Sequence, residues 1–259
     1  MTLWHRSLAV AVAAALLAAA PTGGRAQAET KPPEKHAWDY GKEHGAEHWG
    51  DLDPKFAQCK VGHHQSPVDI QKTEKADLPA IEFDYRPSPL RIVDNGHTIM
   101  VTYAPGSSIR IGDARYELKQ FHFHRPSETT IQGKAYEMEL HLVHADQEGR
   151  LAVVAVLLER GPESPLVREL WKDVPREKEH EAVLEGVQIN VAEMLPGDRG
   201  YYALEGSLTT PPCTENVSWF VLKRPATISA DEIAQFSRWY RRDARPTQPL
   251  YGRVVRETN

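Results

Sequence analysis

The chain has 259 residues, 41% of them hydrophobic and 26% charged, which suits one globular domain with a sizeable core. A formal charge of −5 with no basic stripe of interleaved aromatics argues against a nucleic-acid partner. No apolar run reaches the roughly 18 residues that a membrane span needs.

The first 28 residues read as a secretory signal peptide. A weakly basic start at His5 and Arg6 leads into the short apolar stretch Leu8 to Ala20, and Ala26-Gln27-Ala28 supplies a small-x-small cleavage site. Cleavage after Ala28 removes Arg6 and Arg25 and no acidic residue, taking the formal charge from −5 to −7. Export predicts a periplasmic or secreted location. It also makes the two cysteines, Cys59 and Cys213, an even pair in an oxidising compartment, and so one disulfide.

The remainder, 29–259, is expected to form a single domain. Residues 29 to 65, rich in His, Pro, Gly and Trp, suggest an irregular arm whose histidines, including His36, His44 and His48, are surface groups. From Ile81 to Glu159 the sequence is strand and turn. Asn95-Gly96 is a hairpin signal, and Gly112-Asp113, Gln132-Gly133 and the turn ending at Gly149 divide further strands. Leu151 to Glu159 is a continuous apolar run of strand length, as expected of a central strand covered on both faces.

Helices are few. Ser164 caps one that begins at Pro165 and carries Leu166, Leu170, Trp171 and Val174 on one stripe. Ser229 and Glu232 form a capping box for another that buries Ile233, Phe236 and Trp239. The late arginines Arg238, Arg241, Arg242 and Arg245 fit a solvated face. The expected architecture is mainly β: a large, twisted, mostly antiparallel central sheet with a few short peripheral helices.

Within that sheet, "KQFHFH" places Gln120, His122 and His124 on one strand face, with Phe121 and Phe123 on the other. "YEMELHLVH" likewise puts Glu139, His141 and Val143 on one face. Two adjacent strands can bring His141 beside the first pair. Three neutral imidazoles leave a tetrahedral zinc one open position, the arrangement of a catalytic rather than a structural site. Gln120 and Glu139, each two residues before a histidine, can hold the ligands' second nitrogens. A helical His-Glu-x-x-His site is absent from the sequence. A metal carrier built on the His-rich arm is the competing reading, and it predicts several weakly held ions instead of one tight one.

"AWDYG", "HWGDL", "QSPVDI", "NGH", "QFHFH", "SETT", "ELHLVH", "GSLTTPPC" and "RPTQPL" occur in that order, and together they resemble the α-class carbonic anhydrases from about Trp38 to Arg253. The resemblance implies one zinc per chain and reversible hydration of CO2 to bicarbonate and a proton, by attack of zinc-bound hydroxide. Ester hydrolysis is an implied side activity, and sulfonamides and small anions are implied inhibitors. It makes His122, His124 and His141 the zinc ligands. Thr209 corresponds to the threonine that accepts a hydrogen bond from the hydroxide, and Glu128 to the carboxylate to which that threonine donates. For CO2, Val143 is joined by Val153, Leu208, Val217 and Trp219 as an apolar wall, with Thr210 near the bound substrate. Tyr40, Asn95 and His97 match the outward proton route, His97 as the shuttle.

Four positions depart from the family pattern: Met100, Arg125, Thr129 and Leu204. None of them is a ligand, so they bear on rate and inhibitor preference. A homodimer is compatible with the resemblance, although no residue run marks an interface. Non-catalytic members of such a fold typically lack one or more ligand histidines, and this chain keeps all three.

Overall fold

In the computed structural model, residues 38–259 are described. The expected signal peptide, and the start of the arm with His36, lie outside them. Among the described residues, no helix is long and apolar enough to cross a membrane.

A 13-stranded sheet dominates. Eight of its strands position the site: β1 (Ser88–Asp94), β2 (Ile99–Thr102), β3 (Ala114–His124), β4 (Met138–Ala145), β5 (Leu151–Arg160), β6 (Glu181–Ile189), β7 (Tyr201–Ser207) and β8 (Glu215–Leu222). Their order across the sheet is β6-β1-β2-β3-β4-β5-β8-β7. Most neighbours are antiparallel, as expected, but the β5–β8 pairing at the centre is parallel.

Strand β5 shows why its sequence is apolar without alternation. Its even residues Ala152, Val154, Val156 and Leu158 enter the main core. Its odd residues Val153, Ala155 and Leu157 enter a second cluster on the opposite face. A strand covered on both sides has no polar position to offer. The main core also takes Phe121 and Phe123 from β3, and Met138, Leu140 and Leu142 from β4.

Two helices close the main core, α1 (Pro165–Lys172) and α2 (Ala230–Trp239). Ser164 caps α1, its hydroxyl accepting from the Val167 N–H, and Ser229 and Glu232 form the complete capping box of α2. The Trp171 ring of α1 meets Phe123 edge-on at 4.9 Å, and Phe236 of α2 packs beside both. Val174 and Trp239 are only partly buried, at the edge of this core.

Several sequence expectations need correction. The arm is not irregular throughout: Trp49–Leu52, Pro54–Phe56 and Gln58–Val61 form short helical turns. His44 and His48 are exposed, as expected. The β1–β2 hairpin carries a four-residue loop, because Asp94 pairs with Ile99. Asn95 Oδ1 accepts from the His97 and Thr98 N–H groups, and Gly96 takes the left-handed conformation with φ of +86°. Arg245 is not on a solvated face. It lies beyond the end of α2 and is 2% exposed. Its guanidinium donates to Gln65 Oε1, the Ser66 carbonyl and the Cys59 carbonyl at 2.8–3.0 Å.

Cys59 and Cys213 are joined, as expected. On β4, His144 shares the core-facing parity of Leu142 and is fully buried. Its Nδ1 faces the Ala152 carbonyl at 3.2 Å and its Nε2 the Tyr85 hydroxyl at 2.8 Å, so a neutral ring is satisfied at both ends.

Candidate metal centre

Alternation along β3 is broken once. The β3–β4 register shifts so that Val143 faces Gln120 while the next residue, His144, faces Leu118, leaving Lys119 as an extra residue. This bulge lets Leu118 face the main core while Gln120, His122 and His124 share the opposite face. Beyond it His141 stands opposite His122, and Glu139 opposite His124. The side chains of His122, His124 and His141 converge, with one nitrogen from each within 4.8 Å of the others.

His122 and His124 are each hydrogen-bonded through their other nitrogen, whereas His141 Nε2 has a carboxylate nearby but no aligned hydrogen bond. Gln120 Oε1 lies 2.8 Å from His122 Nδ1, and Glu139 Oε1 lies 3.2 Å from His141 Nε2. Gln120 and Glu139 are the two neighbours expected from sequence, and Gln120 is within hydrogen-bond distance of its ring. The third is the main-chain carbonyl of Asp243, 2.7 Å from His124 Nδ1. Being a backbone atom from 119 residues away, it has no side-chain signature in the sequence. It leaves His124 Nε2 buried without a hydrogen-bond partner.

Burial, then the neighbouring imidazoles, hold His122 and His141 well below the usual histidine pKa, so both are neutral near pH 7. Burial pushes the Glu128 carboxyl up to about 8, against the Thr209 hydroxyl and the Arg245 N–H that favour its charged form. It pushes Glu139 up to about 7, against the N–H and hydroxyl of Thr129. Three converging imidazole nitrogens beside two buried carboxyls form a donor set that fits a divalent cation, whose charge would favour both carboxylates.

Glu128 is braced by the Arg245 N–H at 2.7 Å, and its Oε2 lies 3.5 Å from His124 Nε2 and 3.9 Å from His141 Nδ1. Thr209 follows β7 and is 5% exposed. The chain beyond it is tied down by the disulfide at Cys213, and the Gln65 amide donates to the Cys213 carbonyl at 3.0 Å. One side of the site is apolar: Val153, Val217 and Trp219, with the half-buried Val143 and Leu208, belong to the second cluster. The Trp219 ring meets His141 edge-on at 4.9 Å, its N–H anchored on the Ser207 carbonyl. Thr210 is half-buried next to Thr209.

The Tyr40 hydroxyl is buried without a partner. Burial, with Glu128 and Asp243 nearby, raises its pKa well above the usual value. His97 stacks on Trp38, centroids 3.6 Å apart and planes 7° from parallel. Its Nδ1 is buried and unpartnered, and burial and then Lys178 lower its pKa.

The departing residues are closer to the ligands than their sequence positions suggest. Met100 faces His122 in the β2–β3 register. Thr129 binds Glu139 through both its N–H, at 2.7 Å, and its hydroxyl, at 2.9 Å. The Arg125 N–H donates to Asp243 Oδ1 at 2.7 Å, on the residue whose carbonyl holds His124. Leu204 pairs with Trp219 behind the apolar wall.

Residues 44–259 match the family profile described as eukaryotic-type carbonic anhydrase. The carbonic anhydrase of Klebsiella pneumoniae is 42% identical over 223 residues, covering 85% of this chain and 90% of that protein. That of Nostoc sp. is 40% identical over 225 residues, covering 85% of each. Among solved structures, the α-carbonic anhydrase of Thermovibrio ammonificans in complex with the inhibitor sulfanilamide superposes with a TM-score of 0.81 at 39% identity, over 85% of this chain and 98% of that one.

Proposed function

Since this chain belongs to the eukaryotic-type, or α-class, carbonic anhydrase family, we propose that it hydrates carbon dioxide reversibly to bicarbonate and a proton, with one zinc ion held by His122, His124 and His141. The observation that carries this reading is the meeting of three converging imidazoles with a wall of Val143, Val153, Leu208, Val217 and Trp219. Carbon dioxide is apolar and offers little to hydrogen-bond, so a greasy wall beside the metal is the surface that suits it. Zinc in such a site supplies a Lewis acid that makes water a nucleophile at neutral pH, carbonic anhydrase being the known case of that effect.

The chain's own groups then set direction. A threonine hydroxyl has one proton, and giving it to the neighbouring Glu128, whose charged form Thr209 favours, would leave its lone pairs to accept a hydrogen bond at the metal position. The Arg245 N–H keeps Glu128 from turning away. Thr210 adds a polar edge where bicarbonate leaves. Tyr40 and Asn95 belong to the outward route, and His97 passes the released proton to buffer.

The disulfide supports a periplasmic or secreted location. The sulfanilamide bound to the Thermovibrio relative supports sulfonamide inhibition here, with small anions and ester hydrolysis drawing on the same centre. The test is a stopped-flow CO2-hydration assay on the mature protein before chelation, after it, and after zinc is restored. Activity is expected to vanish and return with one zinc per chain. Activity indifferent to chelation, or absent from fully loaded protein, would overturn the proposal.

A further inference from the structure

Arg125 also lines a cavity of about 860 Å3 outside the catalytic cleft, together with Lys134, Arg160, Arg241 and Arg242. Only Glu137 and Glu159 oppose these five cations, so the lining carries +3 in a chain whose formal charge is −5. Arg160 and Glu137 satisfy each other at 3.0 Å. Lys134, Arg241 and Arg242 make no ion pair with any described residue. The Arg125 guanidinium reaches the Arg241 carbonyl at 2.7 Å, and its Nε is buried without a hydrogen-bond partner.

Crowding like charges around one hollow costs free energy that an anion would offset, and a buried guanidinium N–H without an acceptor adds to that cost. The five cations come from four separate segments, Arg125 following β3 and Arg160 ending β5. Lys134 opens the short strand Lys134–Ala135, and Arg241 and Arg242 follow the end of α2. Arginine forks match the oxygens of phosphate in pairs, and an adjacent lysine adds a point charge. Beside the charges, Pro126, Ala135 and Tyr136 give the hollow an uncharged side.

We propose that this cavity binds a phosphate group, free or as a monoester, independently of the metal centre. The experiment is isothermal titration of the zinc-loaded protein with inorganic phosphate, and separately with glycerol 3-phosphate, in a low-salt zwitterionic buffer. One site per chain is expected for at least one of the two anions. Affinity should fall roughly tenfold or more in the Arg241→Gln/Arg242→Gln double variant and, independently, in Lys134→Gln, since each removes charge-assisted contacts. Binding should survive removal of zinc. The ratio of the two affinities identifies free phosphate or its ester as the ligand. No saturable binding of either anion, equal affinity in both variants, or loss of binding along with the zinc would overturn the proposal, the last because the anion was then sitting at the metal.

Discussion

His122 and His141 stand directly opposite one another across the β3–β4 pairing, their rings 5.3 Å apart and at 87°. The backbone ladder therefore fixes the spacing of two ligands before any metal arrives. Replacing His141 by Ala leaves the strand pairing intact but removes one of three nitrogens. Zinc affinity is expected to fall by orders of magnitude while the fold persists. Metal analysis beside circular dichroism checks this, and full zinc content in the variant would mean that the third ligand is another group.

The Cys59–Cys213 bond closes a loop of 154 residues and joins the segment before Gln65 to the one after Thr209. The chain-entropy relation gives about 5 kcal/mol for such a loop, an upper figure because the unfolded chain is already partly compact. The Cys59→Ser/Cys213→Ser double variant is expected to unfold at markedly lower denaturant. Its CO2-hydration rate should fall as well, since the turn carrying Thr209 loses an anchor. Midpoints unchanged by reduction or by the double substitution would contradict this.

His144 makes stability depend on pH. Burial pushes its pKa down to about 3, against an unfolded value of about 6.5. Below about pH 6.5 the unfolded chain takes up a proton that the folded chain refuses, so this contribution to stability is present above that pH. It is lost progressively as pH falls towards about 3, by roughly 4–5 kcal/mol at most. His144→Gln removes the titration, so the variant is expected to lose less stability than the parent chain between pH 7 and pH 4. Urea unfolding at the two pH values measures the difference, and parallel losses in both proteins would exclude the assignment.

How much of this was legible in advance follows what kind of atom does each job. The convergence of His122, His124 and His141 and the support from Gln120 and Glu139 follow from strand alternation, because side-chain identity and period are printed in the sequence. The bulge at Lys119 is not, since nothing in "LKQF" distinguishes an extra residue from a paired one. Neither is the Asp243 carbonyl, because every residue has one. Arg245 is illegible for the opposite reason. Its charge suggested solvent, whereas three acceptors gathered by the fold allow it to be buried.

His97 is expected to govern the rate in weak buffer. With a source group of pKa about 7, the known value for carbonic anhydrases, and recombination near 10¹⁰ per molar per second, release to bare water runs at only about 10³ per second. A fast enzyme therefore needs a relay. His97→Ala should lower the maximal rate about tenfold or more in dilute buffer, leave kcat/KM nearly intact, and recover with added imidazole. Trp38→Ala frees the ring from its stack, and the buffer dependence should change without loss of zinc. A rate in weak buffer untouched by His97→Ala would remove His97 from the route.

The Asp243 carbonyl and the Arg245 N–H, which brace His124 and Glu128, impose an order in time. A chain made from its N-terminus exposes all three ligands by His141, and Asp243 follows only 102 residues later. An ion captured in that interval meets a His124 that can present either ring nitrogen and a Glu128 with no fixed posture. A metal bound that early would meet an unfinished centre, which the Asp243–Arg245 segment completes when it docks. For a metal bound in that interval, binding and completion of the site would be separate steps.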